Sequence, residues 1–310
     1  MVSYIIAVDG GATKTTLSLR DLEGNIYFEH TSTGSNYQTI GEEKAKNVLT
    51  KLLQDAYHHT KLQRVVVAAF AMSGIDTKYD LEIVKRIIHQ SINQSAFHIQ
   101  KCLIENDVEM TLRGLTGGKS GALVLSGTGS VAFATDGRGK FERVGGFGHR
   151  AGDEGSGYWI GRQILQTIFQ CEDGRNEKPT ILKDLVFELL QILSIEELIQ
   201  WLYHPSYTNA QIASLAQVLP KAISLGDNYA IQIARNAAYE LSNMTVTVLK
   251  KIDLTDKPTV YLNGGVFKNQ SIILNLYQQF TVRKVQNISF HLCKQNPIDY
   301  IAKRAISSLK

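Results

Sequence analysis

The run LVLSGTGSVAFATDGRGKFERVGGFGHRAGDEGSG, Leu123 to Gly157, decides how the chain is read. Leu123 to Leu125 is an apolar run that ends in Ser126-Gly127-Thr128-Gly129-Ser130. A second apolar run, Val131 to Ala134, follows, and Asp136-Gly137 turns the chain toward Phe141 to Val144. That is strand, tight turn, strand, turn, strand. Glycines flanking hydroxyls let the backbone come close to a ligand, and the N–H groups of such a turn suit a phosphate. The second half holds six glycines from Gly145 to Gly157 around Asp153 and Glu154. Glycine-rich backbone is expensive in chain entropy, which favours a functional loop over a plain connection.

The N-terminus repeats the pattern. Tyr4 to Val8 reads as a buried strand running into Asp9-Gly10-Gly11-Ala12-Thr13-Lys14-Thr15. Thr16 to Arg20 and Ile26 to His30 follow as strands, with a turn at Glu23-Gly24-Asn25. An internal repeat with one hydroxyl-bearing turn per copy predicts two similar domains, each offering a turn to a shared cleft. Neither turn is a P-loop or a dinucleotide fingerprint: there is no GxxxxGK[ST], and Gly127-Thr128-Gly129-Ser130 leads into a strand rather than a helix.

Between the repeats, the patterns predict a helix over Glu42 to Tyr57, a strand over Val65 to Phe70 and a helix over Leu81 to Ser91. A strand over Phe97 to Ile104 ends in Glu105-Asn106-Asp107, and a helix follows over Val108 to Leu115. A carboxylate where a strand gives way to a helix is either a helix N-cap or a chemical group, because α/β folds place their sites there. Thr33-Gly34-Ser35-Asn36 reads as a polar turn. After the glycine loop, helices are predicted over Tyr158 to Phe169, Thr180 to Ile192, Ile195 to Tyr203, Asn209 to Ser224 and Asp227 to Lys251. Thr259 to Leu262 reads as a strand entering Asn263-Gly264-Gly265-Val266. A helix over Asn269 to Phe280, a short strand at Ile288 to Phe290 and a helix over Asp299 to Leu309 complete the chain.

The 310 residues suffice for two domains, and 44% hydrophobic with 20% charged residues is an ordinary globular balance. A net charge of +4, scattered along the chain, argues against a nucleic-acid partner. Cys102, Cys171 and Cys293 stand far apart with no CxxC, so neither a zinc site nor a disulfide framework is expected, which fits a reducing, cytoplasmic setting. No signal peptide is read at the N-terminus, and no apolar run approaches the ~20 residues of a membrane span.

Three glycine turns and the carboxylates Asp9, Asp107 and Asp153 are the parts that phosphoryl transfer uses: turns for phosphate, one carboxylate toward Mg²⁺, another for a proton. In order along the chain, Asp9 to Thr15, Gly34 to Asn36, Ser73-Gly74, Glu105 to Asp107, Ser126 to Ser130, Gly145 to His149, Gly152 to Gly157 and Asn263 to Val266 resemble the BadF/BadG/BcrA/BcrD ATPase family, within it the N-acetylglucosamine kinase branch. The resemblance covers nearly the whole chain.

It implies an α/β fold of two ribonuclease-H-like (actin-like ATPase) domains with an interdomain cleft. The first domain would be 1–117 plus 298–310, the second 118–297 with a helical insert at about 158–252. It implies a kinase using ATP and Mg²⁺ on a small-molecule amino sugar, most readily N-acetylglucosamine at O6. N-acetylmuramic acid and glucosamine are the alternative acceptors. An ATPase activator and a non-catalytic sugar sensor are the alternatives of another class. Gly10, Gly11, Thr13, Lys14 and Thr15, with Gly127, Thr128, Gly129 and Ser130, would hold phosphates. Gly264, Gly265 and Val266 would face adenosine, and Asp9 would position the metal. Asp107 would be the general base, with Asn36, Ser73, Gly74, Gly146, Phe147 and Asp153 around the sugar. A homodimer is compatible with the resemblance. Departures from the branch are Phe147 for tryptophan, Ser130 for asparagine, and Asp299-Tyr300 in place of a Gly-Ala pair entering the last helix.

Overall fold

The computed structural model describes residues 3–309. The chain forms two compact units, Met1–Lys119 with Lys294–Lys310, and Ser120–Cys293.

The first unit begins with the antiparallel strands β1 (Tyr4–Gly10), β2 (Lys14–Asp21) and β3 (Ile26–Thr33). A one-turn helix α1 (Tyr37–Ile40) and the long helix α2 (Glu42–Thr60) lead to β4 (Arg64–Met72). Then come α3 (Lys78–Asn93), β5 (His98–Asn106) and α4 (Asp107–Thr116). The sheet order is β3-β2-β1-β4-β5, with β4 parallel to both β1 and β5.

The second unit repeats this topology. β6 (Gly121–Ser126), β7 (Ser130–Thr135) and β8 (Phe141–Gly145) form the antiparallel part. Helices α5 (Gly157–Glu172), α6 (Leu182–Leu190), α7 (Ile195–Leu202), α8 (Asn209–Ser214), α9 (Leu219–Ser224) and α10 (Asn228–Lys251) follow. β9 (Thr259–Asn263), α11 (Gly265–Asn269), α12 (Ser271–Val282) and β10 (Ser289–Leu292) complete it. The sheet order is β10-β9-β6-β7-β8, and β9 runs parallel to β6 and β10. Both sheets therefore place the strand that enters a glycine turn at their centre. The last helix, α13 (Pro297–Ser307), belongs to the first unit.

The alternation of a strand decides what each face of the first sheet buries. Ile5, Ile6, Ala7 and Val8 are all fully buried. Ile6 and Val8 join the cluster with Leu49, Leu53, Ile83 and Ile87 of α2 and α3. Ile5 and Ala7 join Met110 of α4 with Ile298, Ile301 and Ala305 of α13. A central strand buried on both faces reads as one continuous apolar run, as this one does. The Asp299-Tyr300 pair has a structural use at this contact. The backbone N–H of Asn296 donates to Asp299 Oδ2 at 3.1 Å, and Asp299 Oδ1 pairs with Arg20 at 2.8 Å. Tyr300 is buried, and its carbonyl lies so close to Gly114 that a Cβ there would stand 2.0 Å away.

Two expected helices are interrupted. Asn209 to Ser224 is α8, a 3₁₀ turn at Leu215–Val218, and α9. Pro220 has no N–H for a continuous α-helix, and its ring would clash with the carbonyl four residues earlier, so the chain tightens before it. The helix expected over Asn269 to Phe280 is split at Gln270, whose φ of −118° and ψ of 74° lie outside the helical region. No described helix is long and apolar enough to cross a membrane.

Candidate functional site

The expected site residues fall into one set in each unit. In the first unit, the turn between β1 and β2 is closed by the Gly11 N–H donating to the Lys14 carbonyl at 2.9 Å. The Ser35 N–H donates to Gly11 O at 3.0 Å, the Ser73 N–H to Gly10 O at 2.8 Å, and Thr15 Oγ1 to Ser35 Oγ at 2.8 Å. Three stretches far apart in sequence thus meet at one turn. Burial raises the carboxyl of Asp9 above its ordinary value, and the charge of Lys14 partly offsets this.

Asn36 is the N-cap of α1, its Oδ1 accepting the Gln38 N–H at 2.9 Å. It lies against Gly74, where a Cβ would stand 2.8 Å from Asn36 Oδ1. The polar-turn reading and a ligand role for Asn36 are therefore compatible, since the cap uses the oxygen alone.

The two readings of Asp107 separate clearly. The N-cap of α4 is Asn106, whose Oδ1 accepts the Val108 N–H at 3.0 Å and the Glu109 N–H at 3.4 Å. Asp107 is the first residue of the helix. Its Oδ1 also receives the Val108 N–H, at 2.9 Å. It is half-buried. Desolvation pushes its carboxyl up to about 6, with further raising by the negative charges of Asp9 and Asp76. A half-buried carboxyl poised near neutrality is suited to proton exchange. Asp76 escaped the sequence reading because only the fold brings the Ser73–Thr77 stretch within electrostatic reach of Asp107.

In the second unit, the Gly127 N–H donates to Gly129 O at 2.9 Å and closes the turn between β6 and β7. The start of α5 docks on it: the N–H groups of Gly157 and Tyr158 donate to the carbonyls of Gly127 and Thr128, at 2.8 and 3.2 Å. Asp153 is buried against the same turn, its Oδ1 accepting the Ser130 N–H at 3.3 Å. A Cβ on Gly129 would stand 2.9 Å from Asp153 Oδ2, so the absence of a side chain there is what admits the carboxylate. Burial raises the Asp153 carboxyl, and the Ser130 N–H opposes that shift. Ser130 Oγ donates to Glu154 O at 2.7 Å, so the glycine loop and the turn are one assembly. Gly146 lies at the end of β8, and Phe147 is 71% exposed with the Arg143 guanidinium 5.2 Å from its ring centre.

Gly264 has a φ of +107°, and a Cβ there would lie 2.2 Å from the Ser126 carbonyl. Only glycine satisfies both conditions. The resulting turn starts α11 beside the Gly127 turn. Between them lies a cavity of about 380 Å³. Gly127, Thr128 and Gly157 form one wall, Gly265, Val266, Asn269 and Gln270 a second, and Ala213, Ser214, Ala216 and Gln217 a third. Its size is that of an ordinary small-ligand pocket. The third wall and the Asn269-Gln270 pair were not legible as site residues. Both coincide with the interruptions in the predicted helices, and Gln270 Nε2 fastens one to the other by donating to Ala216 O at 2.7 Å. Pro220 was the available signal for the first break.

Residues 6–291 match the model of the BadF/BadG/BcrA/BcrD ATPase family. The chain is 32% identical over 292 residues to the N-acetylmuramic acid/N-acetylglucosamine kinase of Clostridium acetobutylicum, covering 93% of this chain and 92% of that protein. It is 31% identical over 326 residues to the N-acetyl-D-glucosamine kinase of Dictyostelium discoideum, covering 98% of each. Among solved structures, a candidate N-acetylglucosamine kinase from Chromobacterium violaceum superposes with a TM-score of 0.71 at 22% identity, over 98% of this chain and 99% of that one, a likeness of fold.

Proposed function

The chain belongs to the BadF/BadG/BcrA/BcrD ATPase family, and on that premise we propose that it is an ATP-dependent kinase of N-acetylated amino sugars. The acceptor is N-acetylglucosamine, phosphorylated at O6. The observation that carries this reading is Asp107, a half-buried carboxyl at the first position of α4, raised to about 6 by burial and by the charges of Asp9 and Asp76.

In this reading Asp107 accepts the O6 proton as the bond to phosphorus forms. A sugar hydroxyl is a poor acid, so the transfer comes late, and a base near pKa 6 is better matched to it than an ordinary carboxylate. The side-chain amide NH₂ of Asn36, which the cap leaves unused, and the turn at Ser73-Gly74 orient the sugar. The cavity beside Val266 takes the adenosine, and the Gly10 to Thr15 and Gly127 to Ser130 turns take the phosphates.

Mg²⁺ fits the residues present in one manner. The described residues contain no group of three or more His, Cys, Asp or Glu side chains able to hold a metal ion. Asp9 is a single half-buried carboxylate whose ionised form a nearby cation would favour. That donor set suits an ion bound chiefly through phosphates and water, as Mg²⁺ commonly is. When bound, Mg²⁺ neutralises charge on the transferring phosphoryl group.

For the acceptor, Arg143 beside Phe147 places a cation where the sugar's 2-substituent is expected. A free ammonium there would meet like charge, which favours an acetamido group over glucosamine. The N-acetylmuramic acid reading stays alongside, because the Clostridium acetobutylicum relative is named for both sugars.

The test is ADP release with MgATP and each of the three sugars. N-acetylglucosamine-dependent release supports the reading, and N-acetylmuramic acid-dependent release supports its companion. ADP release indifferent to sugar would replace both with an ATPase acting on another partner.

A further inference from the structure

We propose that Asp80 is the positioning residue of the sugar half-site, holding Asn36 and Gly74 in register through Tyr37 and Gln38. The proposal rests on the kinase reading above.

Asp80 stands in the first turn of α3 and is 7% exposed. Its carboxylate collects five hydrogen bonds. Oδ2 accepts the Thr77 N–H and hydroxyl, each at 2.7 Å, and the Asp76 N–H at 3.2 Å. Thr77 Oγ1 in turn accepts the Asp80 N–H at 3.1 Å. These bonds form a capping box, which is all that α3 requires of this residue. Oδ1 does something else: it accepts the Tyr37 hydroxyl and Gln38 Nε2, the latter at 3.3 Å. Both belong to α1, the turn capped by Asn36. Gln38 Nε2 also donates to Gly74 O at 3.3 Å, and its backbone N–H is the one that Asn36 Oδ1 accepts. The same Ser73–Thr77 stretch is tied to the start of α4 by Asn106 Nδ2 donating to Ile75 O at 3.3 Å.

One shielded carboxylate therefore joins the segment carrying Asn36 to the turn carrying Gly74, beside the helix that begins with Asp107. The Tyr37 hydroxyl, then the Thr77 contacts, hold the Asp80 carboxyl far below the usual carboxylate range, so this tie persists at any pH where the enzyme would work. Hydrogen bonds to an ionised acceptor are among the stronger ones, and losing one releases its partner segment.

The two arms of Asp80 can be cut separately. Tyr37→Phe and Gln38→Ala remove the arm toward the sugar and leave the capping box, and Gln38 is exposed, so its removal leaves the core untouched. Thr77→Val weakens the cap and leaves the Oδ1 arm. Steady-state kinetics with N-acetylglucosamine and MgATP would be combined with calorimetric binding of N-acetylglucosamine without nucleotide. The expected result for Tyr37→Phe is a rise of about 10-fold in sugar KM and sugar Kd, with kcat and the KM for ATP within about twofold. Gln38→Ala moves in the same direction, and Thr77→Val lowers the melting temperature while leaving the sugar KM near that of the parent. Unchanged sugar KM and Kd in both Tyr37→Phe and Gln38→Ala would overturn the proposal. So would a Thr77→Val enzyme with the same sugar defect, because Asp80 would then act only through the fold of α3. A parent protein without sugar-dependent ADP release sinks the kinase reading and this proposal together, whereas an active parent with unaffected variants sinks only this one.

Discussion

Replacing Asp107 by asparagine is expected to stop the reaction and to strengthen the fold. The carboxyl rises from its ordinary 3.8 to about 6, mainly because burial disfavours its charge. Each factor of ten in proton affinity is ~1.36 kcal/mol, so ionised Asp107 costs the folded protein about 3 kcal/mol at pH 7.5. The sign follows from the folded value lying above the unfolded one. Asp107 contributes its stability fully below pH 3.8, and that contribution is lost as pH rises through 6. Asparagine is neutral throughout and keeps an oxygen for the Val108 N–H. The stability gap between Asp107→Asn and the parent should therefore close by about 2 kcal/mol on going from pH 7.5 to pH 4.5. How well the amide packs offsets the gap equally at both pH values, so the narrowing is the diagnostic quantity. At ~2–4 °C per kcal/mol for chains of 150–250 residues, the narrowing is several degrees in Tm. The assay is scanning calorimetry of both proteins at a series of pH values, with ADP release measured on the same samples. Turnover should fall by ~10²–10⁴-fold, the usual contribution of a general base. Parallel Tm curves across the pH range would refute the burial argument, and near-parental turnover would remove Asp107 from the chemistry.

The same carboxyl should shape the parent's pH profile: kcat/KM for the sugar falls on the acid side with an apparent pKa near 6, and a limb nearer 4 would show that Asp107 titrates normally. Gly264→Ala places a methyl group against the Ser126 carbonyl at a positive φ. It should lower stability by at least ~2 kcal/mol in urea unfolding, and a neutral result would mean the Gly264 turn is free to move. Gln270→Ala unties the two helix breaks at the cavity wall and removes one of the two donors to the Ala216 carbonyl, the Leu219 N–H remaining. The KM for ATP should rise about 10-fold with the sugar KM unchanged, and an equal change in both would place Gln270 outside the nucleotide half.

Much of this protein is legible in its sequence because the informative patterns are local. The continuous apolar run Ile5 to Val8, short and ended by a glycine turn, reads as a strand buried on both faces. The Gly10 and Gly127 turns followed by second strands reveal the repeated sheet. The motifs in order carry the family, and Asp107 stands out as a carboxylate where a strand meets a helix. What the tertiary structure decided depends on groups that are distant in sequence. Asn106 rather than Asp107 caps α4, which leaves the Asp107 carboxyl to be governed by burial and by the charges of Asp9 and Asp76. The breaks at Leu215–Val218 and Gln270 become a cavity wall only when Gln270 reaches Ala216 across 54 residues. Asp80 reads as a capping residue until Tyr37, 43 residues earlier, is brought to its second oxygen. Periodicity reports which face of an element is apolar. Desolvation, charge and long-range hydrogen bonds report what that face meets, and only the folded chain contains that information.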